Sequence, residues 1–199
     1  MLSVPKHELN GQFAMLPMDD VHFGSGSIDK LGAALEQYGV ERAVIITGNS
    51  LANKTDLVAK VEASAGGRSA GVFTETSQHV PRESVIAAAD FVRSQNADAI
   101  ISFGGGTPND TAKAVTICIA EKITKPDQLD AVRIKFEYPD KLEIPSLSVA
   151  PLPMFAIPTT LSAGEFTYFV GVTDRARQVK DLYLDKRITA KHAVWVPQQ

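Results

Sequence analysis

The chain is short of several things that would take it out of the ordinary run of packed domains. It has one cysteine, Cys118, in 199 residues, so no disulfide framework can form. That cysteine sits inside the apolar run Val115 to Ala120 and reads as a buried, inert thiol. Long apolar stretches are missing as well. No window approaches the ~18 uninterrupted apolar residues of a membrane-spanning helix. Met1 to Phe13 carries Lys6, His7, Glu8 and Asn10 and has no apolar centre, so it does not read as a signal peptide, and the expected location is cytoplasmic. A dominant charge is absent too: 20 basic against 23 acidic residues leave a net charge of -3, which argues against a nucleic-acid binder driven by bulk positive charge. Internal repeats and low-complexity tracts are absent. What remains is a chain that is 44% hydrophobic, too apolar for intrinsic disorder and long enough to bury one full core.

Short apolar runs alternate with segments of helical period. Ala43 to Thr47 reads as a buried strand, and Leu51 to Ala65 as a helix with Leu57, Val58, Val61 and Ala65 on one face, ended by Gly66-Gly67. Ala70 to Thr74 is a second strand. Pro81 opens a second helix with Val85, Ala89 and Val92 inward, and Ala99 to Phe103 is a third strand. A helix from about Pro108 to Ala120 follows, with Ala112, Val115 and Ile119 inward. Such alternation predicts parallel pairing with right-handed crossovers, and strands that are apolar throughout predict a sheet covered on both faces. The expected class is α/β with a doubly wound parallel sheet, the whole chain 1–199 forming one domain. Ile123 to Pro153, with five prolines and many charges, reads as a surface excursion or ordered flap. After it, Phe155 to Ile157, Phe166 to Val172 and Ala193 to Val196 read as further strands.

The sharpest chemical signal is Phe103-Gly104-Gly105-Gly106-Thr107-Pro108-Asn109-Asp110. Three glycines after a strand let a ligand approach the backbone closely. Thr107 can cap the following helix, with Pro108 first and Asp110 third in it, close to a capping box. Free amides at that helix start, at the carboxyl end of a parallel strand, suit a phosphate. The alternative is a tight turn with no ligand. No Gly-Lys-Ser/Thr follows, so this is not a Walker loop, and Asn109 stands where a dinucleotide fingerprint needs its third glycine. Gly24-Ser25-Gly26-Ser27 reads as a strand end, with Ser27 capping a helix from Ile28 to Tyr38. The segment Ile157-Pro158-Thr159-Thr160-Leu161-Ser162-Ala163-Gly164-Glu165-Phe166-Thr167 puts hydroxyls on a loop after a strand, suited to sugar or phosphate oxygens, or simply to a Ser/Thr turn.

Taken together, Gly104 to Lys113 (Gly-Gly-Gly-Thr-x-x-Asp-x-x-Lys), Ile-Pro-Thr-Thr at 157–160 and the opening Phe23-Gly-Ser-Gly26 resemble the iron-containing, group III alcohol dehydrogenases. The shortened loop Thr-Thr-Leu-Ser-Ala-Gly-Glu-Phe-Thr and His79-Val80-Pro81 are most similar to the maleylacetate-reductase-like branch. The resemblance runs in order from about residue 20 to 197. It implies a Rossmann-like domain that binds NAD or NADP, with hydride passing between the nicotinamide and a small carbonyl or alcohol substrate. Gly104, Gly105, Gly106 and Thr107 would hold the diphosphate, and Asp110 would brace the loop or lie near the nicotinamide. Thr159, Thr160, Leu161 and Ser162 would line the nucleotide, Thr167 and Phe169 would flank it from the next strand, and Lys180 would reach it from beyond a turn at Thr173-Asp174. Many relatives carry Asp just after the first long strand to hold the ribose 2′-hydroxyl. This chain has Gly48 there, so a 2′-phosphate is not repelled, and Asn49, Ser50 or Lys54 could contact it.

The family's divalent metal, iron or zinc, is held by an Asp and usually three His, mostly from a helical C-terminal domain. Here the histidines are His7, His22, His79 and His192, with no helix-face metal spacing, so no metal site is expected. His192 reads as a surface residue at a strand entrance and His79 as a loop residue, facing either the cofactor or solvent. Asp19-Asp20 reads as a solvated pair or hairpin, and Arg175, Arg177 and Lys180 as a solvent-facing basic group. The expectation is a cofactor-binding half without turnover of its own, the alternatives being a truncated non-catalytic module or, less favoured, a dehydroquinate-synthase-like lyase domain. An apolar face with Trp195, Phe166 and Tyr168 would then be exposed and favour a homodimer.

Overall fold

The computed structural model describes residues 17–195. Along the chain run β1 (Asp20–Phe23), a 3-10 turn (Ser27–Lys30), α1 (Leu31–Gln37), β2 (Ala43–Ile46), α2 (Asn49–Lys54), α3 (Leu57–Ser64), β3 (Ser69–Phe73), α4 (Arg82–Ser94), β4 (Ala99–Gly104) and α5 (Gly106–Ala120). A 3-10 turn (Pro126–Ala131), β5 (Lys135–Glu137), β6 (Lys141–Glu143), β7 (Met154–Pro158), β8 (Phe169–Asp174), β9 (Val179–Leu184) and β10 (His192–Trp195) complete it. Six strands form one sheet in the order β1-β10-β7-β4-β2-β3, every neighbouring pair parallel.

The strands explain why this is a two-faced core. Successive side chains of a strand point to opposite faces. Val44 and Ile46, with Ile100, Met154 and Ala156, join α4 and α5 through Val85, Ala89, Val92, Ala112 and Val115. Ala43 and Ile45, with Ile101, Phe103, Phe155 and Ile157, join α1 and α3 through Leu31, Leu35 and Val61. Fully burying each large aliphatic side chain contributes about 1.5–3 kcal/mol, so a strand with no polar face is held on both sides. From β2 the chain leaves through α2 and α3 toward β3, whereas from adjacent β4 it leaves through α5 toward β7. Neighbouring strands whose connections depart in opposite directions open a crevice at their carboxyl ends, where ligands of doubly wound sheets bind. Gly48 and Gly104 mark the two sides of that crevice.

Several expectations are corrected. The helix over 51–65 is broken: Thr55 is extended, its hydroxyl donates to the Leu51 carbonyl at 2.6 Å and accepts from the Leu57 amide, so one helix stops and another starts. Ser27 does not cap a helix, since Gly26 holds that place. Its buried hydroxyl donates to the Trp195 carbonyl at 2.6 Å, tying the first turn to the end of β10. Ser27→Ala should cost about 1 kcal/mol and lower the melting temperature by roughly 2–4 °C in a calorimetric scan; an unchanged midpoint would show the tie to be idle. The 166–172 segment is not a strand of the main sheet. A 3-10 turn (Gly164–Phe166) comes first, and β8 pairs antiparallel with β9, a strand the sequence reading passed over. The Asp174 carboxylate accepts from the Ala176 and Arg177 amides and closes that hairpin. Residues 123–153 are not only a surface excursion, because Leu129 and Leu147 enter the core while β5 and β6 form an exposed hairpin.

His192 is not at the surface: it is 1% exposed and its ring stacks on Phe155. Trp195, Phe166 and Tyr168 are half-buried rather than an open apolar face, because the Phe166 ring stacks on Trp195 with centroids 6.4 Å apart. Arg177 is not a free surface cation, since it pairs with Asp174 and Asp181. His7 and the final residue of the expected strand, Val196, lie outside the described residues. No described helix is long and apolar enough to cross a membrane.

Candidate functional site

The glycine run turns the chain out of β4 and into α5. Gly104 has φ +137°, a conformation that side chains rarely adopt, and a Cβ there would come within 2.9 Å of the Pro108 ring. Gly105 is the N-cap, and α5 begins at Gly106, two residues earlier than a Thr107 cap would require. No side chain caps this end, so the expected capping box between Thr107 and Asp110 is not formed. The consequence favours a ligand. The amides of Gly106 and Thr107 lie in the first turn, where no carbonyl four residues back can serve them, and the helix dipole adds partial positive charge there.

The loop after β7 closes over this turn. The Thr159 amide donates to the Gly104 carbonyl at 3.0 Å, continuing the β4–β7 pairing by one residue. A Cβ on Gly105 would lie 3.0 Å from Thr160 Oγ1, and one on Gly106 would lie 3.6 Å from Ser162 Cβ, so the two loops face each other across glycines. Of the residues singled out from sequence, Gly104, Gly105, Gly106, Thr107, Thr159, Thr160 and Ser162 are thus brought together. Gly48 is placed beside Thr76 and Glu75, but the helix it opens reaches the same turn, with Leu51 Cδ1 3.3 Å from where a Gly104 Cβ would be. Leu161 points outward at 89% exposure. His79 is exposed in a left-handed turn, and its carbonyl accepts from Thr173 Oγ1 at 2.6 Å.

Below the paired loops lies a polar cluster that the sequence reading did not assign. Lys113 is fully buried in α5. Its ammonium donates to the Gly164 carbonyl, to Thr167 Oγ1 at 2.6 Å and to the Phe169 carbonyl at 3.4 Å. Burial pushes its pKa down to about 8, against the pull of Asp110 and Glu165. Asp110 is raised by burial, partly offset by Lys113 and Lys180, which puts Asp110 and Lys180 in one electrostatic neighbourhood. Glu165 is fully buried and also raised by burial. Both its carboxylate oxygens and both polar atoms of the nearby Asn109 side chain are without a hydrogen-bond partner among the described residues. Lys113 ends the Asp-x-x-Lys motif, and the available signal was a lysine flanked by Ala112, Ala114 and Val115 in a helix with no polar face. Thr167 and Phe169 therefore meet Lys113 rather than stand side by side on one strand.

The family model of iron-containing alcohol dehydrogenases matches residues 19–197. The chain is 29% identical over 178 residues to the NAD-dependent methanol dehydrogenase of Bacillus methanolicus, covering 88% of this chain and 43% of that protein. It is 27% identical over 178 residues to the maleylacetate reductase of Pseudomonas sp. strain P51, covering 89% of this chain and 40% of that one. The crystal structure of an archaeal halo-thermophilic alcohol dehydrogenase from a Red Sea brine pool superposes with a TM-score of 0.79 at 20% identity, covering 94% of this chain and 47% of that one. The chain thus spans about two-fifths of the length of the curated relatives it matches.

Proposed function

Because the chain belongs to the iron-containing alcohol dehydrogenase family, we propose that it forms the dinucleotide-binding half of an NAD(P)-dependent oxidoreductase. The observation that carries this reading is the uncapped start of α5, reached through Gly104–Gly106 at the carboxyl end of β4 and beside the crevice between β2 and β4. A diphosphate placed there takes the amides of Gly106 and Thr107 and lies along the helix dipole. Thr160 and Ser162 supply hydroxyls from the facing loop, Thr159 continues the sheet under it, and Gly105 keeps the approach open. Asp110 and the exposed Lys180 of β9 share one electrostatic neighbourhood and are proposed to face the nicotinamide, with Thr167 and Phe169 anchored by Lys113.

The bound nicotinamide would supply a hydride donor or acceptor for a carbonyl or alcohol carbon; the residues of this chain bind and orient it. Either NAD or NADP fits, since Gly48 offers no carboxylate against a 2′-phosphate. Among the described residues, no set of ligands for the family's metal is left unneutralised at this end. The described triads of potential ligands are Asp20-His22-His192, at the other end of the sheet, and Asp130-Asp174-Asp181, which arginines neutralise. The chain by itself is therefore proposed to bind cofactor without turnover. Phe23, Leu161 and Phe169, at 83%, 89% and 48% exposure, offer apolar contacts to the remainder of a longer protein or to a second copy in a homodimer.

Titration with NADH and NADPH, followed by the blue shift and enhancement of nicotinamide fluorescence, tests the reading. Saturable binding of one equivalent is expected. Gly105→Ala has no backbone strain to pay, but its Cβ must displace Thr160, and affinity should fall roughly fivefold, about 1 kcal/mol. An absence of binding by either nucleotide would end the proposal.

A further inference from the structure

At the amino ends of the strands, opposite the glycine turn, three side chains of ligand type leave one face of the sheet. Asp20 and His22 are two apart on β1 and so point the same way, and His192 pairs directly with Asp20 in the parallel register. His22 Nε2 and His192 Nδ1 are 3.4 Å apart, and with an Asp20 carboxylate oxygen their ligand atoms all lie within 4.8 Å of one another. The two rings face each other nearly edge to edge, with centroids 5.7 Å apart and planes 10° apart. That gap is long for a direct N–H···N hydrogen bond. Two zinc–nitrogen bonds of about 2.1 Å spanning it would enclose about 110°, the tetrahedral angle. The His22 ring is half-buried at the edge strand of the sheet, and Asp20 is exposed beside it.

The second observation concerns the far side of the buried ring. His192 Nε2 is inaccessible to solvent and has no hydrogen-bond partner among the described residues, yet it lies 4.0 Å from Asp19 Oδ2. That oxygen is fixed by the Tyr38 hydroxyl, which donates to it at 2.5 Å. A ligating histidine commonly directs its other N–H at a carboxylate, which sets the tautomer and the ring angle. Metal on Nδ1 would place the proton on Nε2, facing Asp19, and would account for the orphaned nitrogen.

We propose that Asp20, His22 and His192 form a binding site for a divalent transition metal of the zinc class, with water in the fourth position and Asp19 and Tyr38 behind His192. The ion would staple edge strand β1 to β10. The inference is independent of the dinucleotide reading, because the site is at the other end of the strands and uses none of the same residues.

Chelator-stripped protein titrated with Co2+ should develop the intense visible d–d bands of a tetrahedral site at one equivalent, and Zn2+ should bleach them. Zinc should also raise the melting temperature by several degrees. His22→Gln, which alters an edge residue outside the core, should keep the metal-free melting temperature while losing both the bands and the zinc-induced rise. Asp20→Asn should weaken Co2+ binding at least tenfold. Absence of the bands in the parent chain, or their survival with the zinc-induced rise in His22→Gln, would overturn the proposal and leave the pair as a hydrogen bond between imidazoles. NADH binding measured in the same samples stays unchanged if the two sites are separate.

Discussion

Arg82→Met should lower the melting temperature by roughly 6–20 °C, the equivalent of about 3–5 kcal/mol for a chain of this size. Arg82 is the first residue of α4, and its side chain is only 4% exposed. The guanidinium holds Asp181 and Asp130 at 2.7 Å each and Asp174 at 3.2 Å, and it donates to the Pro126 carbonyl at 3.2 Å. One cation thus fastens the β8–β9 hairpin and the 126–131 turn to the face of α4. Methionine fills the volume but leaves Asp181, 8% exposed, to Arg177 and to Arg133 at 3.9 Å. A buried carboxylate stripped of its most buried partner costs far more than the pair ever contributes, and this sets the magnitude.

The pH dependence gives a second readout. The Arg82 hydrogen bond, with the other arginines behind it, holds the Asp130 carboxyl below its usual range, and Arg177 first and Arg82 after it do the same for Asp174. A carboxyl whose folded pKa is depressed stabilises the fold above the unfolded value near 4 and loses that stabilisation as pH falls through the folded value. Unfolding scans of the parent should therefore steepen below about pH 4, and those of Arg82→Met should be shallower there. A loss under about 3 °C with an unchanged acid limb would show that the hairpin is held by Val170, Val172 and Tyr183 packing alone.

Where sequence reading succeeded and where it failed follows from how far the deciding interaction reaches. Ala43-Val-Ile-Ile and Ala99-Ile-Ile-Ser carry their placement locally, since a strand without a polar face has no choice but to lie inside. The Gly-Gly-Gly turn after such a strand and the Pro-Thr-Thr end of β7 are local as well, and the fold sets the two facing each other. The hairpin β8–β9 is not local in that sense. Val179-Lys-Asp-Leu-Tyr-Leu reads as an ordinary polar stretch until Asp181 is seen to meet Arg82, 99 residues away. Polar residue type misled at His192, where ring stacking on Phe155 and the neighbouring His22 ring bury a side chain usually found outside. Lys113 was visible as a motif letter but not as a buried donor, because its acceptors are backbone carbonyls that no side-chain pattern announces.

Lys113→Met should weaken dinucleotide binding about a hundredfold, a little under 3 kcal/mol, while the chain stays folded. The substitution keeps the apolar stem and removes the ammonium. The Gly164 and Phe169 carbonyls and Thr167 Oγ1 then lose their shared donor in a closed space, and charge-assisted bonds of this kind are worth about 1.5–3 kcal/mol each. These acceptors belong to the segment that carries Thr160 and Ser162 over Gly105 and Gly106, so the loss falls on the position of the loop proposed to meet the diphosphate. Global stability moves the other way with pH. Lys113 has a folded pKa near 8 against an unfolded value of 10.5, so between those values the unfolded chain holds more protons and the contribution of this group to stability rises with pH. Below pH 8 the buried ammonium costs stability and holds the loop; above it the cost is relieved and the loop loses a charged donor. Dissociation constants for NADH should therefore climb through about pH 8 in the parent, with no matching fall in melting temperature, and stay flat in Lys113→Met. A parent profile that is flat across this range, or a variant that binds as tightly as the parent, would mean that the lysine serves packing and leaves the nucleotide untouched.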